Sequence, residues 1–371
     1  MNFASFKKSM NWDDGHIPIW FMRQAGRYLP EYRYVRAKFP SFIDFCLTSD
    51  VATEITLQPL NRFDLDAAII FADILILPYA MGVKVEFVEG KGPILDKFMV
   101  DYSLEDFLNY PLNIEVISKI AATVRKTKNR LDDLNIKNKA TSNKKALIGF
   151  AGGPWTVFCY MVEGSGSGGK FHNVRRLLYE NRDAAIRAID HLTNATIIYL
   201  LEQIKSGADI IKIFESWASV CPSSLFDDLV IKPTSKIVNA IKSQYPNVPI
   251  IGFPKSCGIK YVDYATKSSV DVIALDEQLD LHNKNFINLL KNHCALQGNL
   301  DNILLTARNV DQQIISATKD ILSTLYQNNP NGFIFNAGHG LLPETNIDNI
   351  ILVIETIRKY QKQLEIKKWE Q

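Results

Sequence analysis

Pro18-Ile-Trp-Phe-Met22, followed at once by Arg23-Gln24-Ala25-Gly26-Arg27-Tyr28-Leu29-Pro30-Glu31-Tyr32, reads as a short apolar strand that ends in a loop carrying guanidinium groups. The same grammar recurs along the chain: a β-rich apolar run, a polar or Gly/Pro turn, then a longer segment with helical periodicity. With Ile17 to Met22 counted first, the runs are Ala67 to Ala72, Ala146 to Ala151, Asp209 to Phe214, Pro249 to Phe253, Val270 to Leu275, His293 to Gln297 and Gly332 to Asn336. Strands alternating with helices predict a parallel sheet, and eight of them predict a closed α/β barrel of the (β/α)8 kind.

Amphipathic helices are expected over Asn113 to Leu131, Asn173 to Ser206, Pro233 to Gln244, Val310 to Gln327 and Asn346 to Leu364. Lys84 to Val88, with the turn Glu89-Gly-Lys-Gly-Pro93, reads as a hairpin inserted after the second strand. The polar stretch Lys137 to Lys145 reads as a loop inside the domain, since a strand follows it directly. The expectation is one domain over residues 1–371, a TIM-like barrel with additional helices and a hairpin insertion.

Composition bounds the function. A chain of 371 residues with 47% hydrophobic and 22% charged residues can bury a large core, and a net charge of +2 implies no nucleic-acid partner. Attraction for an acidic ligand must come from arginines gathered in one cleft. Cys46, Cys159, Cys221, Cys257 and Cys294 are scattered without a C-x-x-C pair, which fits a reducing compartment. No apolar run approaches the roughly 18 residues that span a bilayer, and Lys7 and Lys8 precede no apolar signal segment, so a cytoplasmic protein with no membrane partner is expected.

The active site of such a barrel lies at the C-terminal ends of its strands. The residues there are Arg23, Asp73, Gly152 and Gly153, Ser216, Lys255, Asp276, Asn299 and His339. Arg23 and Arg27 offer planar forks that match carboxylates, and Gly26 lets backbone approach a ligand closely. Asp73 closes an apolar strand, where a carboxylate needs donors around it. A helix cap or a structural ion pair would serve Asp73 equally well on these grounds, and two arginines could sit in surface ion pairs. Gly164-Ser-Gly-Ser-Gly-Gly169 precedes Lys170, but no strand leads into it, so a phosphate loop is excluded and a lid edge fits better.

These blocks, together with Leu57-Gln-Pro-Leu60, Gly149-Phe-Ala-Gly-Gly-Pro-Trp155-Thr156, Tyr160-Met-Val-Glu-Gly164, Phe214-Glu-Ser216, Leu296-Gln-Gly-Asn-Leu300-Asp301 and Asn336-Ala-Gly-His339-Gly340, occur in one order over nearly the whole chain. The chain resembles the uroporphyrinogen decarboxylases. The resemblance implies a carboxy-lyase that needs no cofactor or metal and converts the four acetate arms of uroporphyrinogen III to methyls, giving coproporphyrinogen III for haem, and that works as a homodimer. It implies Asp73 and Arg23 as catalytic residues, with Asp73 accepting the pyrrole N–H groups and stabilising a cationic intermediate. It implies substrate contacts from Arg23, Gln24, Ala25, Gly26, Arg27, Phe42, Asp73, Tyr160, Ser216 and His339. The residues do not single out the proton donor among a substrate carboxyl, Arg23, Tyr160 and water.

Lys212 and Cys257 stand where the family pattern usually has other residues. Zinc-dependent methyltransferases share the barrel but use His-x-Cys and a distant Cys; here Lys255 occupies the slot two before Cys257, and no cysteine follows Cys294. A catalytically dead binding barrel would be expected to lack Asp73 or both arginines, and all three are present.

Overall fold

The computed structural model describes residues 3–10, 15–88, 90–96, 104–137, 144–327 and 329–369. Glu89 in the expected hairpin turn and residues 138–143 of the expected loop lie outside them. Seven parallel strands form the main sheet in the order β1 (Ala67–Ile69), β4 (Ala146–Gly152), β5 (Ile210–Glu215), β6 (Ile250–Pro254), β7 (Val272–Ala274), β8 (Ala295–Leu300) and β9 (Phe333–Ala337). β2 (Val85–Val88) and β3 (Gly92–Leu95) make the antiparallel hairpin, Val85 facing Leu95. Strand side chains are buried on both faces, as they must be where one face fills the barrel and the other meets helices.

The eighth stave is shorter than its sequence suggests. Ile17 to Met22 makes only a bridge, Ile19 to Phe335, but that bridge closes the ring. Phe335 N donates to Pro18 O at 2.8 Å, Trp20 N to Phe335 O at 3.4 Å, and Asp66 N to Ile19 O at 2.8 Å. Two features keep the seam from lengthening into a strand. Pro18 has no N–H to give, and the N–H of Ile19 is taken at 2.7 Å by the Asp66 side chain. That carboxylate also meets His16 Nε2 at 2.8 Å and Arg358 Nη2 at 2.9 Å, tying the seam to the last helix, Ile347–Trp369.

The helices fall close to the expected segments, with two corrections. Asn173 to Ser206 is not one helix but two, His172–Glu180 and Arg182–Lys205. Asn181 leaves helical geometry (φ −151°, ψ 72°), and its side chain accepts from Ala184 N at 3.2 Å, which starts a new helix where periodicity alone sees no break. Val310 to Gln327 begins as the α-helix Asp311–Ile321 and widens to a π-turn over Leu322–Tyr326. The seventh run is also displaced: His293 ends the helix Lys284–His293, and the strand runs on to Leu300, so Asn299 lies within β8.

Candidate active site

The site assembles where the seam, β1, β5 and β9 end. Arg23 follows the seam with φ +58°, a left-handed conformation that turns the chain sharply as it leaves the barrel wall. Its side chain lies across Gly340: a Cβ added there would fall 2.5 Å from Arg23 Cδ, so glycine is what lets the arginine stem pass beside His339. Arg23 and Arg27 have exposed side chains and, among the described residues, neither is held in a salt bridge. The arrangement therefore leaves both forks available for acid groups.

Asp73 sits at the end of the apolar run that begins with β1, half-buried, with Leu75 N donating to its Oδ1 at 2.9 Å. Burial pushes its carboxyl above the ordinary range, while the Leu75 N–H and the positive charge of Arg23 pull it back. Burial also raises the Tyr160 phenol, with the Asp73 carboxylate adding to that effect and Arg23 opposing it. Desolvation pushes the His339 imidazole down to about 3, helped by the charges of Lys255 and Arg23 and by Lys212 when it is protonated. The charge of Arg23 is thus felt by Asp73, Tyr160 and His339, which places four sequence-derived residues around one mouth.

His339 is accordingly neutral at physiological pH, and among the described residues its Nδ1 has no hydrogen-bond partner. Ser216 is half-buried directly after β5. Phe42 belongs to a separate aromatic wall, 4.5 Å from Phe87 on the hairpin and 6.0 Å from Phe71, two residues before Asp73. Phe150 and Phe214 meet edge to face at 5.4 Å between β4 and β5.

Three strand-end residues serve the scaffold. Gln24 is buried, with Oε1 accepting from Phe21 N at 3.1 Å and Nε2 donating to Ala67 O at 3.1 Å, so its amide is spent joining the arginine loop to β1. Asp276 accepts from Tyr261, Ser256 N and Gln278 N. Asn299 Nδ2 donates to Asp276 O at 2.8 Å.

Sequence reasoning missed Glu215 and Trp217. The buried Glu215 carboxylate accepts from Trp155 N at 3.3 Å, Thr156 N at 2.9 Å and Thr156 Oγ1 at 2.7 Å, gripping the first turn of the helix Pro154–Glu163 that carries Tyr160. A Cβ on Gly153 would come within 2.1 Å of Glu215, which is why the Gly-Gly-Pro block has no side chain there. Trp217 lies 6.0 Å from Tyr160 and 4.7 Å from the buried Phe171, fixing the phenol from the other side. The sequence signal was present in Gly153, but only the fold shows what fills the space.

Burial raises the Glu215 carboxyl from 4.5 to about 7 against the opposing pull of its hydrogen bonds from Thr156 and Trp155. The folded state therefore holds a proton that the unfolded chain gives up between those two values, and stability from this group falls as pH rises through the window. The stability advantage of the native protein over Glu215→Gln should shrink by about 3 kcal/mol from pH 4.5 to 7. Thermal melts across that range check it; parallel curves would show that Glu215 does not titrate there.

Comparison with known proteins identifies the family. The uroporphyrinogen decarboxylase family model matches residues 8–360. A uroporphyrinogen decarboxylase of Rickettsia bellii is 44% identical over 94% of this chain and 96% of its own length, and one of Rickettsia africae is 41% identical over 95% of each. Among solved structures, a methyltransferase from Methanosarcina mazei superposes with a TM-score of 0.67 at 15% identity, covering 93% of this chain and 94% of its own, a likeness of fold alone. With the arginine loop, the strand-end aspartate and the closed barrel all accounted for, the chain belongs to the uroporphyrinogen decarboxylase family.

Proposed function

We propose that this protein decarboxylates the acetate arms of uroporphyrinogen III to methyls, giving coproporphyrinogen III in haem biosynthesis, with no cofactor. The observation that supports the reading is a half-buried Asp73 carboxylate within electrostatic reach of Arg23 and Tyr160, with Arg23 also within reach of His339.

Decarboxylation leaves an electron pair on the former methylene carbon. The electron-rich pyrrole supplies the sink: a proton added to the ring carbon beside the acetate makes a cation, and the C–CO2 bond breaks into it. A second proton converts the exocyclic methylene to methyl, and loss of the first restores the aromatic ring. Each arm thus consumes one proton net. In this reading Asp73 accepts the pyrrole N–H groups and stabilises the cation as it develops. Arg23 and Arg27 hold acid arms, Ala25 and Gly26 let the loop backbone come close, and Tyr160, Ser216 and neutral His339 complete the polar rim. Phe42 forms part of the apolar wall. Gln24 acts from beneath, keeping the arginine loop in place.

The enzyme works in the cytoplasm as a homodimer in this proposal; the resemblance supports the dimer, and among the described residues no helix is long and apolar enough to cross a membrane. The test is to incubate metal-stripped protein with uroporphyrinogen III in the dark under reducing conditions and separate products by carboxyl number. A ladder descending from eight carboxyls to four is expected. Unchanged substrate would overturn the reading.

A further inference from the structure

Lys212 lies in the middle of β5, fully buried, and among the described residues its Nζ has no hydrogen-bond partner. Strand alternation explains its direction. Glu215 faces out to the helix Pro154–Glu163, so Lys212 and Phe214 face into the barrel. The amine is enclosed by three aromatic rings: Trp20 from the seam at 4.9 Å, Phe214 at 5.0 Å and Phe253 from β6 at 5.0 Å. Trp20 is itself fixed by its indole N–H, which donates to Gln297 Oε1 at 3.2 Å. A simple apolar filler in the barrel needs no amine, and an amine kept for stability would have a carboxylate beside it.

The surroundings hold Lys212 between two charge states. Burial pushes its basicity far down, and among the described residues no carboxylate acts on it. The ring faces favour the cation, which offsets part of the desolvation cost. Among the described residues the nearby charges are Arg23 after the seam and Lys255 after β6; His339 after β9 is neutral, Glu215 is directed outward, and Asp73 at the mouth has no effect on the amine. When protonated, Lys212 acts on His339, so the amine lies beneath the same mouth. Carboxylates entering a cleft from which water is displaced would supply the missing counter-charge.

We propose that Lys212 is a substrate-dependent cation: an uncharged amine in the empty barrel that takes up a proton when a polycarboxylate tetrapyrrole fills the mouth above it. The added charge then attracts the acid arms from below, making Lys212 a positioning residue that touches no reacting atom. This rests on the decarboxylase reading of the site.

The test is anaerobic calorimetric titration with coproporphyrinogen III, which has no acetate arms to lose, in buffers of differing ionisation enthalpy near neutral pH. Protons taken up per ligand are then counted for the native protein, Lys212→Met and Lys212→Arg. Methionine keeps the shape of the stem with no charge to bury, so a folded variant is expected. The native protein should take up close to one more proton than Lys212→Met and bind about tenfold more tightly. Lys212→Arg, charged throughout, should show the low proton count of the methionine variant with affinity nearer the native. Equal proton counts in native and Lys212→Met would overturn the inference alone. Absence of binding by the native protein would overturn both the inference and the site reading beneath it.

Discussion

Asp73→Ala is expected to lower kcat by at least about a thousandfold while the protein stays folded. The loss follows, in the proposed mechanism, from removing a fixed anion at the mouth when a cation forms in a cleft sheltered from water, a setting in which a single preorganised electrostatic partner is worth a factor of about 10² to 10³ or more. The fold should survive because, among the described residues, the carboxylate makes a single hydrogen bond, from Leu75 N. Losing that bond costs about 1 kcal/mol, and relief of the buried charge offsets part of it. Steady-state turnover and a thermal melt of the same preparation check the two halves. A variant that turns over at the native rate would show that the cation is stabilised elsewhere.

Asp66→Ala should have the opposite profile, a large loss of stability arising far from the chemistry. Its carboxylate is shared by Ile19 N, His16 and Arg358, and it holds the seam that closes the barrel. Removing it leaves the Ile19 N–H without its acceptor and takes one of two carboxylates from the half-buried Arg358 guanidinium, which keeps Asp64 at 3.0 Å, at a cost of about 1–3 kcal/mol. Burial would raise this carboxyl, yet His16 and Arg358 together hold it below 3.8. A depressed carboxylate contributes stability above its unfolded value and loses it as pH falls through the folded one. The native protein should therefore lose this contribution only below about pH 4, whereas Asp66→Ala lacks it at every pH. Chemical denaturation at neutral and acid pH separates the two. A variant as stable as the native protein at neutral pH would show that the seam is held by its backbone bonds alone.

These contrasting aspartates show what could be read from letters and what could not. Both stand beside the same apolar run, Ala67 to Ala72, one before it and one after. A strand end marks a site in a barrel, so Asp73 could be picked out as a candidate. Asp66 was invisible as a clasp because its partners, His16 and Arg358, lie 50 and 292 residues away along the chain. Gln24 illustrates the converse. It sits inside the arginine block, yet its amide serves Phe21 and Ala67. Glu215 was passed over as part of a motif because nothing local shows that its carboxylate caps a helix beginning 61 residues earlier, at Pro154.

The sequence by itself determined the repeating order of strand and helix, the residue types at the strand ends and the family, because periodicity and short motifs are properties of neighbouring residues. Tertiary structure alone decided that the first stave would be a bridge, that one long amphipathic segment would break at Asn181, and that a lysine in β5 would lie in an aromatic cage with no counter-charge. Each of those outcomes depends on groups brought together only when the barrel closes, where burial and a missing or supplied partner set the energy.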